Sequence, residues 1–339
     1  MPRPFPPQRD AVTVGGANGG AGAGTETSTP RRGVHRAATA IPVVALLAAL
    51  AGCSADRPLN PSFPLTLEAA RAAVRQMEAQ PRAPARPVVV IGGIFDSQAR
   101  VGRLAARLRA LTADDAVIVA VGVQSTPSFE AALRDLHAAL RRDLPAQPGA
   151  APPEVDVVGV SMGGLVARYA AMDPELRTRF RPDPQATGPA PALRIRRLFT
   201  LATPHRGAIA ARLPLPQPRV RDMRAGSCFL RALDADLARQ KARSMALYPY
   251  VRLGDAVVGA ASTSPPGQHP IWVANQPFQF AHGSIDADER ILADIARRLR
   301  DEQPFSSLPA APLPETGCAA RPRSTGSPAR TFAPTCGGW

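Results

Sequence analysis

Residues 155–172 read VDVVGVSMGGLVARYAAM. The run at 155–160 is apolar and β-branched but too short for a helix, which predicts a buried parallel strand. Residues 162–172 carry no breaker beyond the paired glycines and predict a helix. Between them lies Gly159-Val160-Ser161-Met162-Gly163, a G-x-S-x-G. Alone the pattern is weak, but a serine on a tight turn between a strand and a helix is what a nucleophile elbow requires. Gly159 and Gly163 leave room where a side chain would collide. The helix N-terminus behind Ser161 favours negative charge, as a developing oxyanion needs. The rival reading, a phosphate-binding turn, lacks both G-x-G-x-x-G and a P-loop lysine.

On either side of this stretch, strands alternate with helices. The sequence predicts a helix opening at Thr66, with Leu67, Ala70 and Val74 on one face, then a strand in PVVVI at 87–91. Next come a helix over 100–111, a strand over 116–123 and an amphipathic helix over 128–144. After the elbow follow a strand over 194–202, a helical segment over 229–245, and strands over 248–253 and 271–274. A last helix runs over 287–300, with Asp286 as its N-cap and Glu289 three residues on. This order predicts an α/β fold with a mostly parallel sheet covered on both faces. In 248–274 two parallel strands are joined by a segment with little helical character, although such crossovers are often helical.

The elbow VGVSMGGLVARY (158–169), the strand LFTLATPHRG (198–207), and GDAVV (254–258) before FAHGSI (280–285) resemble bacterial lipases and GPI-inositol-deacylase-like hydrolases of the α/β-hydrolase fold. The resemblance covers about residues 86–300 and rests on the motifs jointly. It implies a serine esterase. The sequence needs a base for Ser161, and the chain has five histidines. His35 lies near the N-terminus, His137 on the amphipathic helix, and His269 in a Pro/Gly/Ser loop. His205, in TPHRG, corresponds to a family motif at the rim of the site. His282 follows the last strand, where the resembling fold places its base; His269 is the runner-up. The acid belongs after a strand between Ser and His in chain order, which selects Asp255. Asp234 and Asp236 sit on a helical segment and read as a solvated face. The oxyanion hole needs two backbone N–H groups, from Met162 and, by alignment with the family, Ile94. The family has His-Gly in that loop where this chain has Gly92-Gly93.

Residues 31–53, RRGVHRAATAIPVVALLAALAGC, combine a basic start, a short apolar stretch and Leu50-Ala51-Gly52-Cys53. This resembles a bacterial lipoprotein signal, with Cys53 as the lipidated residue. An ordinary secretory signal with a chance cysteine is the plainer alternative. Ser54 after the cysteine implies an outer-membrane destination if the source has one. Residues 1–30 would make the basic region oddly long, and translation starting nearer Val34 is the simpler expectation. An envelope location permits disulfides; Cys318 and Cys336 are the expected pair, leaving Cys228 free and buried.

The expected organisation is a signal region at 1–52, an anchor tether with a short helix at 53–85, a catalytic domain at 86–302, and a Pro-rich, poorly packed tail at 303–339. Segments 173–193 and 206–247 are candidate lids. Phe229, Leu233 and Leu237 share a helical face that suits either a lid or plain core. The net charge of +14 comes almost entirely from arginine; Lys241 is the only lysine. With 5% aromatics and no arginine run interleaved with them, nucleic acid is not an expected partner. The expected partners are a lipid or small ester and the membrane holding Cys53. Neither H-E-x-x-H nor paired C-x-x-C occurs, so no metal or cofactor is expected. Acyl transfer, thioester hydrolysis and non-catalytic binding by an envelope lipoprotein remain as alternatives. A fluorophosphonate probe separates the last from the others.

Overall fold

In the computed structural model, the residues described are 58–144, 153–181, 183, 185, 188, 190–240 and 245–315. All belong to the compact unit Ser54–Trp339. The signal region, with Cys53, and the cysteines Cys318 and Cys336 lie outside them. Six parallel strands form one sheet: β1 (Val88–Ile91), β2 (Ile118–Val121), β3 (Val155–Val160), β4 (Ile195–Leu201), β5 (Ala246–Arg252) and β6 (Ile271–Val273). Their order is β2-β1-β3-β4-β5-β6, so the strand before Ser161 sits in the interior of the sheet. The helices are α1 (Leu67–Ala79), α2 (Gln98–Leu111), α3 (Phe129–Asp143), α4 (Met162–Ala171), α5 (Pro174–Phe180), α6 (Pro218–Asp222), α7 (Cys228–Gln240) and α8 (Glu289–Leu299).

The period-two alternation of the strands divides the core in two. Val89, Ile91, Val155 and Val157 face Phe129, Leu136, Leu165 and Phe229, from α3, α4 and α7. Val88, Val90, Val158 and Val160 face Val74, Leu108, Ile291 and Ile295, from α1, α2 and α8. Both faces are therefore covered, which is why β1 and β2 read as continuous apolar runs. With Ser161 on a sharp turn at the C-terminal end of β3, this is the α/β-hydrolase fold. β5 and β6 pair in parallel through Tyr250, Val251 and Arg252 against Ile271, Trp272 and Val273. The segment joining them contains only a short 3-10 turn at Ala260–Ser262.

Several expectations are corrected. The last helix begins at Glu289 and its N-cap is Asp288, whose side chain accepts from the Arg290 N–H. Asp286 instead pairs with Arg100, 2.8 Å away; a cap must sit next to the first turn, and a 3-10 turn at Ile285–Ala287 precedes it. The tail is not loose where it is described. The Ser306 N–H donates to Asp294 Oδ1 at 2.7 Å, and Trp272 Nε1 donates to the Pro312 carbonyl at 2.9 Å. Nor is all of 54–64 a tether: Asn60 Nδ2 donates to the Trp272 carbonyl at 2.7 Å, and Phe63 is buried. These segments cover β6, an edge strand whose unpaired backbone would otherwise face solvent.

Phe229 and Leu233 pack into the core, Phe229 with its ring 4.1 Å from that of Phe129, so that stripe serves packing. Asp236 is buried and Asp234 pairs with the buried Arg168 at 2.9 Å, so they are not a solvated face. The helix exposes Arg231, Ala235, Ala238 and Arg239 instead, and its two carboxylates lie toward the protein side. Cys228 is neither free nor fully buried: it opens α7, half-exposed, and is disulfide-bonded. Its partner is outside the described residues. Whether a given thiol is paired follows from the fold, which composition does not reveal.

Candidate active site

Ser161 has φ 50° and ψ −120°, a conformation non-glycine residues rarely adopt. Its N–H donates to the Leu201 carbonyl at 2.7 Å, and its own carbonyl accepts from Thr203 Oγ1 at 2.8 Å. β4 thus holds the elbow from one side. On the other side, a Cβ at Gly163 would lie 2.3 Å from the Ile91 carbonyl oxygen, and one at Gly159 would lie 2.6 Å from the Gly164 Cα. Both positions require glycine because the helix packs directly onto the strand ends. Gly164 shares that constraint, with a would-be Cβ 2.2 Å from Thr203 Oγ1; the G-x-S-x-G pattern does not include it.

The structure brings Ser161, His282 and Asp255 together. Ser161 Oγ is 3.1 Å from His282 Nε2, and His282 Nδ1 is 2.9 Å from Asp255 Oδ2. A carboxylate can only accept, so Nδ1 carries the proton and Nε2 presents its lone pair to the serine hydroxyl. The second Asp255 oxygen accepts from the N–H groups of Val257 and Val258, at 2.9 and 3.0 Å. These bonds fix the carboxylate, which is buried at the turn after β5. His282 stands on the loop after β6. Arg252 anchors that loop from below by donating to Gln279 Oε1 and Ser284 Oγ.

Met162 follows the serine, and Ile94 follows Gly93, whose backbone lies against it. Neither N–H has a hydrogen-bond partner among the described residues. Gly93 lies against Ser161: a Cβ there would be 3.0 Å from Ser161 Cβ. Its own N–H is occupied, donating to Asp96 Oδ2 at 2.7 Å. The N–H groups of Ile94 and Phe95, next in the loop, have no partner among the described residues. The Gly-Gly departure from the family therefore does not cost the loop its donor.

The other histidines lie elsewhere. His269 is exposed and takes no part. His137 faces inward from α3; its Nε2 is buried without a partner, and burial lowers its pKa to about 4. His205 is not at a rim, as its motif implied, but fully buried beneath α4. Its Nδ1 meets an Arg168 guanidinium nitrogen at 3.0 Å and its Nε2 meets Thr200 Oγ1 at 3.0 Å. Burial, and then the charges of Arg168 and Arg206, push its pKa well below the usual value.

The sequence reading missed Asp96 and Arg100, which hold the loop after β1. Their i, i+4 spacing at the start of a helix was the available signal. Among the described residues, no cluster of His, Cys, Asp and Glu is arranged to hold a metal ion. No described helix is long and apolar enough to cross a membrane.

No protein-family profile and no curated protein matches the chain. Among solved structures it is similar to the phospholipase PlaB from Legionella pneumophila, at 13% identity over 63% of this chain, with TM-score 0.45. The chain spans 61% of the length of that protein. It is also similar to the Bacillus licheniformis lipase BlEst2 in its mature form, at 15% identity over 65% of this chain and 94% of the other, with TM-score 0.42. A lipase-esterase related protein from Clostridium acetobutylicum matches at 8% identity over 66% of this chain and 96% of the other, with TM-score 0.34.

Proposed function

We propose that this chain is a serine hydrolase that cleaves carboxylic esters, held at the cell envelope through a lipidated Cys53. One observation carries the reading: an unbroken chain of hydrogen bonds from Ser161 Oγ through His282 to Asp255, with the serine on a strained turn.

Ser161 Oγ attacks the ester carbonyl carbon while His282 Nε2 takes its proton. The carbonyl oxygen becomes an oxyanion facing the Met162 and Ile94 N–H groups. Asp255 stabilises the imidazolium that forms. Collapse breaks the bond to the alcohol, which leaves with the proton from His282, and the acyl group remains on Ser161. Water then attacks the acyl-enzyme, losing its proton to His282, and the acid is released as Ser161 regains that proton.

The test is hydrolysis of p-nitrophenyl esters of graded acyl length by the purified mature chain and by Ser161→Ala. Turnover is expected to vanish in the variant while thermal unfolding stays unchanged. Retention of more than about 1% of wild-type kcat would exceed the residual of a lost nucleophile and end the reading. Mass spectrometry of a membrane fraction addresses the anchor. The expected species begins at a diacylated Cys53; an unmodified soluble chain removes that part.

The anchor reading rests on residues 31–53 alone. It places the protein in the envelope, on the outer membrane if the source is Gram-negative. A lipid or small ester as substrate agrees with the family resemblance of the elbow and of the TPHRG and GDAVV segments.

A further inference from the structure

Two separate loops supply the groups around Ser161. One follows β1 and carries Ile94; the other follows β6 and carries His282. They are far apart in sequence, yet one guanidinium touches both. Arg100, in the first turn of α2, donates through Nη2 to the carbonyl of Gly283, the residue after His282. Its Nε lies 3.0 Å from Asp96 Oδ1, and the other oxygen of Asp96 holds the Gly93 N–H, one residue before Ile94. Asp286, on the His282 loop, grips the same guanidinium at 2.8 and 3.0 Å. The two carboxylates are only 12% and 13% exposed, so solvent screens the ion pairs less than on an open surface.

Charge matters here as well as geometry. Asp96 Oδ2 and Ser161 Cβ each lie 3.0 Å from the point a Gly93 Cβ would occupy. A carboxylate so close to the nucleophile would repel the oxyanion that forms there. A guanidinium bound to that carboxylate offsets its charge.

We infer that Asp96 and Arg100 are positioning residues: Asp96 turns the oxyanion loop so that Ile94, not Gly93, offers its N–H. Arg100 locks that loop to the His282 loop and neutralises the carboxylate beside the developing oxyanion. Neither residue touches substrate. The inference rests on the serine-hydrolase reading above. Misplacing a catalytic group by about 1 Å costs about 10²-fold in rate, so the strut acts on kcat and leaves KM nearly alone.

The experiment measures kcat and KM on p-nitrophenyl butyrate, and the rate at which a fluorophosphonate labels Ser161, for the full mature chain and its variants. Arg100→Met is expected to lose about 100-fold in kcat, because it both frees the loops and leaves Asp96 uncompensated. Asp96→Asn keeps an acceptor for the Gly93 N–H and is expected to lose about tenfold. The double variant is expected to be faster than Arg100→Met alone, since removing the carboxylate's charge relieves the repulsion. KM is expected to stay within about twofold throughout, and labelling to fall in step with kcat. A merely structural pair would not give that rescue. If Arg100→Met does not fold, Arg100→Lys keeps the charge but loses the reach to Gly283, and an intermediate loss in kcat at unchanged KM is expected. Ser161-dependent turnover that is indifferent to Asp96 and Arg100, or a double variant no faster than Arg100→Met, overturns the inference alone. Absence of any Ser161-dependent turnover overturns the hydrolase reading and the inference with it.

Discussion

His205 and His282 both follow a strand of the same sheet, and both have each ring nitrogen in a hydrogen bond. Their chemistry is opposite because of one partner. At His282, Nδ1 faces a carboxylate, which only accepts, so the proton sits on Nδ1 and Nε2 is free to act as a base. At His205, Nδ1 faces a guanidinium, which only donates, so Nδ1 accepts and the proton sits on Nε2, donated to Thr200 Oγ1. A cation beside a buried imidazole disfavours its protonation, and Arg168 does so at His205. His205 is thus a neutral bridge between α4 and β4, tied through Arg168 to Asp234 on α7. An imidazole after a strand of this sheet is not thereby fitted to act as a base; the group bonded to its other nitrogen decides that.

The largest expected effect is at His282. His282→Ala should lose about as much turnover as Ser161→Ala, at least 10⁴-fold by the behaviour of such triads. Asp255→Asn should be severe but milder, because the base remains and only its tautomer and orientation suffer. Steady-state kinetics on one ester decides the order; an Asp255→Asn variant within about tenfold of wild type would remove Asp255 from the catalytic reading.

His205→Leu breaks the other half of the comparison. It leaves an Arg168 N–H and the Thr200 hydroxyl without partners in a dry site, at a cost of about 1–3 kcal/mol for each unsatisfied group. Urea unfolding should show that loss, while kcat per active site, counted by fluorophosphonate titration, stays within about threefold. A loss of kcat like that of His282→Ala at unchanged stability would mean that His205 takes part in the chemistry.

The smallest effect is in the pH dependence of stability. His205 and His137 are both held neutral, His137 with a pKa of about 4. The unfolded chain binds protons at these side chains near pH 6.5, where the folded chain does not. Their contribution is therefore complete above about pH 6.5 and is lost as pH falls, for His137 through about 4. The urea midpoint should drop between pH 7 and pH 5, and less so in His137→Gln. An identical drop in His137→Gln and wild type would show that His137 titrates normally in the folded chain.

The alternation of strand and helix, and the elbow, were legible because each depends on neighbours a few residues away. Period-two and period-3.6 patterns, and a G-x-S-x-G behind a β-branched run, are local. The helix start at Thr66 was legible for the same reason; it is the N-cap of α1. Asp286 was misread as a cap because an acidic residue before a helix looks the same whether it caps that helix or reaches across to Arg100. The tail looked loose because its composition is Pro- and Ser-rich, yet Ser306 and Pro312 find partners on α8 and β6.

By itself, the sequence determined that a serine would stand on a tight turn at the end of a buried strand, and it narrowed the base and acid to residues after later strands. Chain order and local backbone preference suffice for that. Tertiary structure decided the rest: which histidine meets a carboxylate and which meets a guanidinium, that Asp96 occupies the Gly93 N–H, and that Arg100 spans two loops. These are pairings of polar groups across 121 residues for Ser161 and His282, and across 183 for Arg100 and Gly283. No pattern of neighbours encodes such a pairing. It forms only once the hydrophobic faces of the helices have closed on the sheet, which excludes water and leaves each buried donor and acceptor to find its partner within the protein.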